Sequence, residues 1–216
     1  VLYETEKMFL PTSSYENKFR QQNFKHIAGV DEVGRGSWAG PIVAAAVILP
    51  PRVRIPGLRE SKLLSPEKRQ ALSVIIKKKA LFWSLGRVSQ GVIDKIGLNP
   101  ANFKVLGLAL ANLSQKPDFL LIDYYSLNWK NTPFKAIIKG DMLVNSIAAA
   151  SILAKVSRDQ LMIKYHQKYP QYGFDRHKGY GTKLHFQMIC QNGICQLHRQ
   201  SFAPIKNFIK IKQSNN

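Results

Sequence analysis

The sequence has 216 residues, 45% of them hydrophobic, enough for one domain with a full core, with room for a small appendage. Lysine and arginine number 32 against 13 aspartate and glutamate, a net charge of +19 that points to a polyanionic partner, most simply nucleic acid or an acidic membrane surface. The longest apolar run is roughly half a span, which argues against a transmembrane helix; the N-terminus lacks a signal core; and a membrane-surface protein would need a basic amphipathic helix with a large apolar face, which the sequence does not offer. Cys190 and Cys195 are the only cysteines and read as reduced thiols of a cytoplasmic protein.

Residues 1–24 are polar and mixed, with a short helix expected around Ser14–Gln22 and with Glu4, Glu6 and Glu16 solvated. His26 to Val30 reads as a short strand that ends at Asp31 and Glu32, followed by the tight turn Gly34-Arg35-Gly36. Ile42 to Leu49 is a second strand, stopped by Pro50-Pro51. Ser65-Pro66 predicts a helix start, Ser as N-cap and Pro at the first position, with the helix running to about Lys79. Ala80 to Ser89 reads as a strand, and Asn99-Pro100 opens a helix through about Ala111. Phe119 to Asp123 is a continuous apolar strand ending in an acid, the pattern of a sheet covered on both faces. Ala136 to Ile138 is a further strand, leading through Lys139-Gly140 to Asp141 and a helix from Met142 to about Lys168. A helix near Lys183–Gln191 and a basic tail complete the chain. Strands alternating with helices give an α/β class.

Acids are scarce, so their positions carry information. Glu67 suits a helix N-terminus, Asp159 pairs with Lys155 four residues away, and Asp94, Asp118 and Asp175 lie near turns. Asp31, Glu32, Asp123 and Asp141 are left at strand ends, where α/β sheets gather ligands. Adjacent carboxylates beside apolar strands conflict unless a cation neutralises them, and oxygen donors suit Mg²⁺ or Mn²⁺. Four converging carboxylates would hold two such ions about 3.5–4 Å apart, an arrangement used for phosphodiester cleavage. The bland alternative is a hairpin with solvated acids, and spacing alone does not show that the four meet.

The segments GVDEVGRG-x-x-AGP, LLID, KGD-x-x-x-x-SIAAAS-x-x-AK, HKGYGT and HR-x-SFAP occur in that order between about His26 and Pro204. Together they resemble the bacterial ribonuclease HII family. The resemblance implies an α/β, ribonuclease H-like fold, a mixed central sheet flanked by helices with a helical C-terminal part. It divides the chain into an extension (1–24), a catalytic domain (25–189) and a C-terminal segment with a basic tail (190–216). It implies metal-dependent cleavage of RNA in RNA–DNA hybrids and at single ribonucleotides in duplex DNA, leaving 3′-hydroxyl and 5′-phosphate ends. It places Asp31, Glu32, Asp123 and Asp141 on the family's metal ligands, with two Mn²⁺ or Mg²⁺ ions. Gly34, Arg35 and Gly36 fall on the loop that holds the 2′-hydroxyl and nearby phosphates, and Tyr180 on the reader of the ribose–deoxyribose junction. Lys62, Lys178 and Arg199 are expected phosphate contacts, and a monomer without an obligate protein partner is expected. The chain departs from the family pattern at Ser37-Trp38, at Glu60 to Ser65, at Met142, and at Tyr124, where glycine is usual.

Rival readings fare worse. No G-x-G-x-x-G or P-loop pattern occurs, and two acids before the glycine turn would repel a pyrophosphate. His185, Cys190, Cys195 and His198 lack a C-x-x-C zinc knuckle and read as core residues. His177 reads as a phosphate contact or a surface histidine rather than a proton shuttle. The second functional class is a non-catalytic nucleic-acid-binding module, which the charge suits but four acids at strand ends do not.

Overall fold

Five strands form one sheet: Ile27–Val33 (β1), Ile42–Ile48 (β2), Phe82–Val88 (β3), Phe119–Asp123 (β4) and Phe134–Ile137 (β5). The structure, a computed structural model, describes residues 10–124 and 129–214. The spatial order is β3-β2-β1-β4-β5. β1, β2 and β3 pair antiparallel, whereas β4 runs parallel to β1 and β5 parallel to β4, so the sheet is mixed. The helices are Ser14–Arg20 (α1), Pro66–Lys79 (α2), Gln90–Ile96 (α3), Leu98–Ala111 (α4), Gly140–Leu143 (α5), Asn145–Lys168 (α6), Phe174–His177 (α7), Lys183–Asn192 (α8) and Ala203–Ser214 (α9).

β2 is buried along its whole length because both faces of the sheet are covered, which is why its sequence is unbroken rather than alternating. Ala44 and Ala46 face α4, where Val105, Leu106 and Ala109 complete one apolar cluster. Ala45 and Val47 face α6, whose Ala148, Ala149 and Ile152 build the other. Small residues on α6 and on β2 let the helix sit close to the strands that carry the acids. α2 begins as expected, with the Ser65 hydroxyl accepting from the Lys68 N–H at 3.3 Å and Pro66 in the first turn.

Three differences from the sequence reading have physical causes. β1 does not stop at Val30; it pairs with β2 through Val33, so Asp31 and Glu32 lie inside a strand, opposite Ala45 and Ala44. The helix expected from Met142 is broken at Val144, which is extended, because Thr12 pairs there. Thr12 accepts from the Asn145 N–H at 3.0 Å and donates its own to the Leu143 carbonyl at 3.1 Å, replacing the helical bonds the break removes. Glu16, expected in solvent, is 2% exposed and accepts from the Ser146 N–H at 2.8 Å, capping the first turn of α6 from outside that helix. Phe19 on α1 stacks on Phe119 of β4 at 3.9 Å between ring centroids. Glu4 and Glu6 lie outside the described residues. The helix α3 has no counterpart in the sequence reading, and the basic tail is largely the helix α9.

Candidate functional site

Parallel pairing brings the first two acids together. Val30 of β1 lies opposite Ile122 of β4, so the next residues, Asp31 and Asp123, sit side by side at the same edge. Asp123 is itself opposite Ile137, the last residue of β5, and the chain then turns through Lys139 at φ 56° into α5. That turn delivers Asp141 and points the Gly140 N–H at Asp123 Oδ1, 2.7 Å away. One carboxylate oxygen from each of Asp31, Asp123 and Asp141 lies within 4.8 Å of the others. Glu32, on the opposite face of β1, is not in that group of three but lines the same cleft, about 470 Å³ in volume. Ser61, Lys62, Ser151, Lys155 and Tyr180 line it too.

Four other described acids each have a donor of their own. Asp118 accepts from the Lys25 and His26 N–H groups, and Asp94 from those of Gln200 and Ser201. Asp159 pairs with Lys155 at 2.8 Å, and Asp175 faces His166 at 3.2 Å. The cleft acids instead face each other. Burial, then Glu32 and Asp123, push the Asp31 carboxyl well above its ordinary range. Burial and Asp123 push Glu32 up to about 7, against the pull of Arg35. Asp123 and Asp141 are also raised, chiefly by burial, although Lys62 and, for Asp123, the Gly140 N–H oppose this. Burial pulls the Lys62 ammonium down, yet Asp141 and Glu60 together hold it above its ordinary value. Crowded carboxylates that disfavour one another's charge fit a hard divalent cation: the donors are all oxygen, converge on one point, and lack protein cations sufficient to neutralise them. The cluster could hold Mg²⁺ or Mn²⁺ and act on a phosphodiester.

The glycine turn joins this cleft through its backbone. Ser37, just after Gly36, makes a bridge with Tyr180, and the Trp38 N–H donates to the Gly179 carbonyl at 2.8 Å. Gly34 has φ 89°, and a Cβ there would come within 2.1 Å of Arg158 Nε, so only glycine fits. Gly36 has open space where a Cβ would be. Arg35 hydrogen-bonds Asn99 Oδ1 at 2.8 Å, and with Tyr124 and Asn102 lines a smaller cleft beside the acids. Tyr180 is half-buried, its ring over the Lys155 ammonium at 5.5 Å and the Arg158 guanidinium at 5.1 Å. Gly181 beside it is needed because a Cβ would enter the Trp38 ring, at 2.1 Å. Trp38 is one of the departures from the family pattern. Tyr124 is 65% exposed and has φ 63°, in the left-handed region that favours glycine.

Of the expected phosphate contacts, Lys62 alone lines the acidic cleft, exposed and 3.5 Å from Glu60. Lys178 turns away, its ammonium donating to the Asp175 carbonyl. Arg199 is a correction: it is fully buried, and its guanidinium donates to the Gly34, Arg35 and Gly40 carbonyls at 2.7, 2.8 and 3.0 Å. It braces the glycine turn from behind and has no face toward a phosphate. His177 is a second correction. It is buried, with Nε2 2.7 Å from the Tyr172 carbonyl and Nδ1 accepting from the Gly179 N–H at 3.1 Å. Its place beside aromatic core residues was hidden because the HKGYG segment reads as an exposed basic loop. Sequence reasoning also missed Arg158 and Ser151; the only signal was that each lies on the small-residue helix α6.

Known proteins resemble this chain in sequence and in fold. A family model described as Ribonuclease HII matches residues 28–205. The chain is 47% identical over 211 residues to Ribonuclease HII of Bacillus cytotoxicus, covering 98% of this chain and 81% of that protein. It is 51% identical over 207 residues to Ribonuclease HII of Bacillus anthracis, covering 96% and 80%. Among solved structures it resembles the ribonuclease H2 of Pyrococcus horikoshii, with a TM-score of 0.76 and 25% identity over 89% of this chain and all of that one. It shares the fold of Bst-RNase HIII in complex with Mn²⁺, with a TM-score of 0.64 and 18% identity over 88% and 70% of the two chains. No described helix is long and apolar enough to cross a membrane.

Proposed function

This chain belongs to the ribonuclease HII family, whose members are endonucleases that hydrolyse RNA in RNA–DNA hybrids, and we propose that it also cleaves at single ribonucleotides embedded in duplex DNA, leaving 3′-hydroxyl and 5′-phosphate ends. The observation that carries this reading is the joining of the acid cluster, the glycine turn and Tyr180 around one cleft. Asp31, Asp123 and Asp141, with Glu32 beside them, would hold two divalent cations, Mg²⁺ or Mn²⁺. When bound, the cations supply the charge that activates a water and stabilises the departing 3′ oxygen.

The remaining work falls to the chain's own groups. Gly34 and Gly36 present bare backbone to the 2′-hydroxyl, a donor and acceptor that DNA lacks. Arg199 fixes that backbone by holding the Gly34 and Arg35 carbonyls from behind. The Tyr180 ring packs on the next sugar, where an added 2′-hydroxyl would be crowded and lose hydration. Lys62, at the mouth of the cleft, offers an ammonium to the phosphate. Among the described residues, no histidine lines the cleft.

The test is a duplex carrying one ribonucleotide, incubated with Mg²⁺, with Mn²⁺ and with EDTA, and the cut mapped. A single metal-dependent cut beside the ribonucleotide, with the expected ends, is the result that fits. Tight binding of hybrid and duplex alike in EDTA, with no cut on adding Mn²⁺, would make the protein a binding module instead. For Tyr180→Ala, most cleavage at the lone ribonucleotide should be lost and less of that on an RNA tract; equal losses would remove the junction-reading role.

A further inference from the structure

Behind Tyr180 lies a cluster of three buried histidines that takes no part in the chemistry above. His177 and His185 stack face to face, with ring centroids 4.2 Å apart and planes 16° from parallel. His198 meets His185 edge on, Nε2 to Nε2, at 3.2 Å. The proton positions follow from the partners. The Cys195 N–H donates to His198 Nδ1 at 2.9 Å, so that nitrogen is bare and the His198 proton is on Nε2. His198 Nε2–H then donates to His185 Nε2. His185 carries its proton on Nδ1, which donates to the Tyr180 carbonyl at 3.0 Å. The same tautomer is reached from the other end, since a carbonyl can only accept. His177 is settled likewise: it accepts from the Gly179 N–H and donates to the Tyr172 carbonyl.

Each ring nitrogen therefore has one donor or acceptor role, His198 Nδ1 also lying 3.3 Å from Cys195 Sγ and 3.2 Å from the Cys195 carbonyl; all three rings are neutral, and the chain runs in one direction. We propose that Cys195 N–H, His198 and His185 form a relay that fixes the Tyr180 backbone, making His185 and His198 positioning residues for discrimination at the ribose–deoxyribose junction. The inference rests on the junction-reading role given to Tyr180. The Tyr180 carbonyl also accepts from the Thr182 N–H at 2.9 Å, so both of its lone pairs are committed. The Gly179 N–H is held by His177, and the Tyr180 ring by Arg158. The tyrosine is thus held at its backbone from one side and at its ring from the other. Burial first, then the neighbouring imidazoles, pushes His185 down to about 3; burial pushes His198 down to about 4, so both stay neutral near pH 7. A ring that is only filling space would need none of this directionality, and phenylalanine would serve as well.

That contrast gives the experiment. Asparagine at 185 can place an amide N–H where the Nδ1–H was, whereas phenylalanine keeps bulk and loses the donor. Amide hydrogen exchange at Gly179 and Thr182 reports loop order. The ratio of cleavage at a lone ribonucleotide to cleavage of an RNA tract reports discrimination, with Tyr180→Ala as calibrator. His185→Phe should speed exchange at both amides and lower the ratio by about tenfold, and His185→Asn should retain most of each. Unchanged exchange in His185→Phe, or the same exchange in the two variants, overturns the relay. Faster exchange with an unchanged ratio, where Tyr180→Ala does change it, overturns the positioning role. If Tyr180→Ala leaves the ratio unchanged, the tyrosine reading itself has failed, and exchange alone then decides whether the relay holds the loop. Should His185→Phe not fold, His198→Gln, which keeps a donor at the Nε2 position, is compared with His198→Leu by the same measurements and the same criteria.

Discussion

Two groups of titratable side chains are buried within reach of Tyr180, and they are built on opposite principles. In the histidine cluster every nitrogen has a partner, each proton has one place, and no charge is present. In the acid cluster the carboxylates face one another, and burial first, then repulsion from neighbouring carboxylates, Glu60 in the case of Asp123, raises all four pKa values. A satisfied polar cluster makes a structure rigid; an unsatisfied one waits for something to complete it. Burial alone does not mark the candidate active site here, and neither does the number of ionisable groups. Lack of internal compensation marks it.

The sharpest way to break the comparison is Asp31→Asn. Turnover should fall by about 10³-fold or more, because a ligand and its charge are lost together. The metal-free protein should nevertheless melt higher, by roughly 2–4 °C for each kcal/mol of repulsion relieved. Full Mg²⁺-dependent activity, or a lower melting temperature, would contradict the description of these acids. His198→Leu should do the reverse to stability. It strands the Cys195 N–H and the His185 Nε2, and a buried unpaired polar group costs about 1–3 kcal/mol, to be read by denaturant titration. A neutral effect would mean that the relay is not satisfied as described.

The pH dependence separates the two clusters further. His185 and His198 have folded pKa values of about 3 and about 4, below the usual 6.5. Between about pH 6.5 and about pH 4 the unfolded chain binds protons that the native rings refuse, so stability falls as the pH is lowered through that window. The acids run the other way: their raised pKa values make the folded protein bind extra protons, and acidification relieves them. The difference in stability between wild type and His198→Leu isolates the first slope, which should shrink in the variant. Asp175, Arg176 and Lys178 face His177 and Cys195 faces His198, so the same scan on Asp175→Asn checks that the slope belongs to the rings.

The smallest effects concern the cations. Arg199→Lys cannot bridge three carbonyls, so binding should weaken while the slope of log affinity against log salt stays as in wild type. Lys62→Ala should reduce that slope by about 1, as expected for one lost phosphate contact. Equal changes of slope in the two variants would return Arg199 to the phosphate face.

Much of this protein was legible from its residues. The apolar run of β2, the strand FLLID and the Ser65-Pro66 helix start are fixed by local pattern, since burial on both faces and N-terminal capping leave direct marks in the sequence. So was the exceptional status of Asp31, Glu32, Asp123 and Asp141, because an acid at the edge of an apolar strand has no local reason to be there. Other positions looked ordinary and were not. Glu16 reads as a surface acid until α1 places it against the start of α6; the break at Val144 exists because Thr12 pairs there. Arg199 and His177 sit in basic, glycine-rich surroundings that read as phosphate-facing, and the fold turns both inward. The sequence by itself determined most of the strands and helices and which acids could bind metal, since propensity and period act within a few residues. Tertiary structure alone decided that Lys62 lines the cleft while Arg199 holds the glycine turn, because the direction of the Arg199 side chain depends on the Gly34, Arg35 and Gly40 carbonyls, brought near it from 165, 164 and 159 residues away.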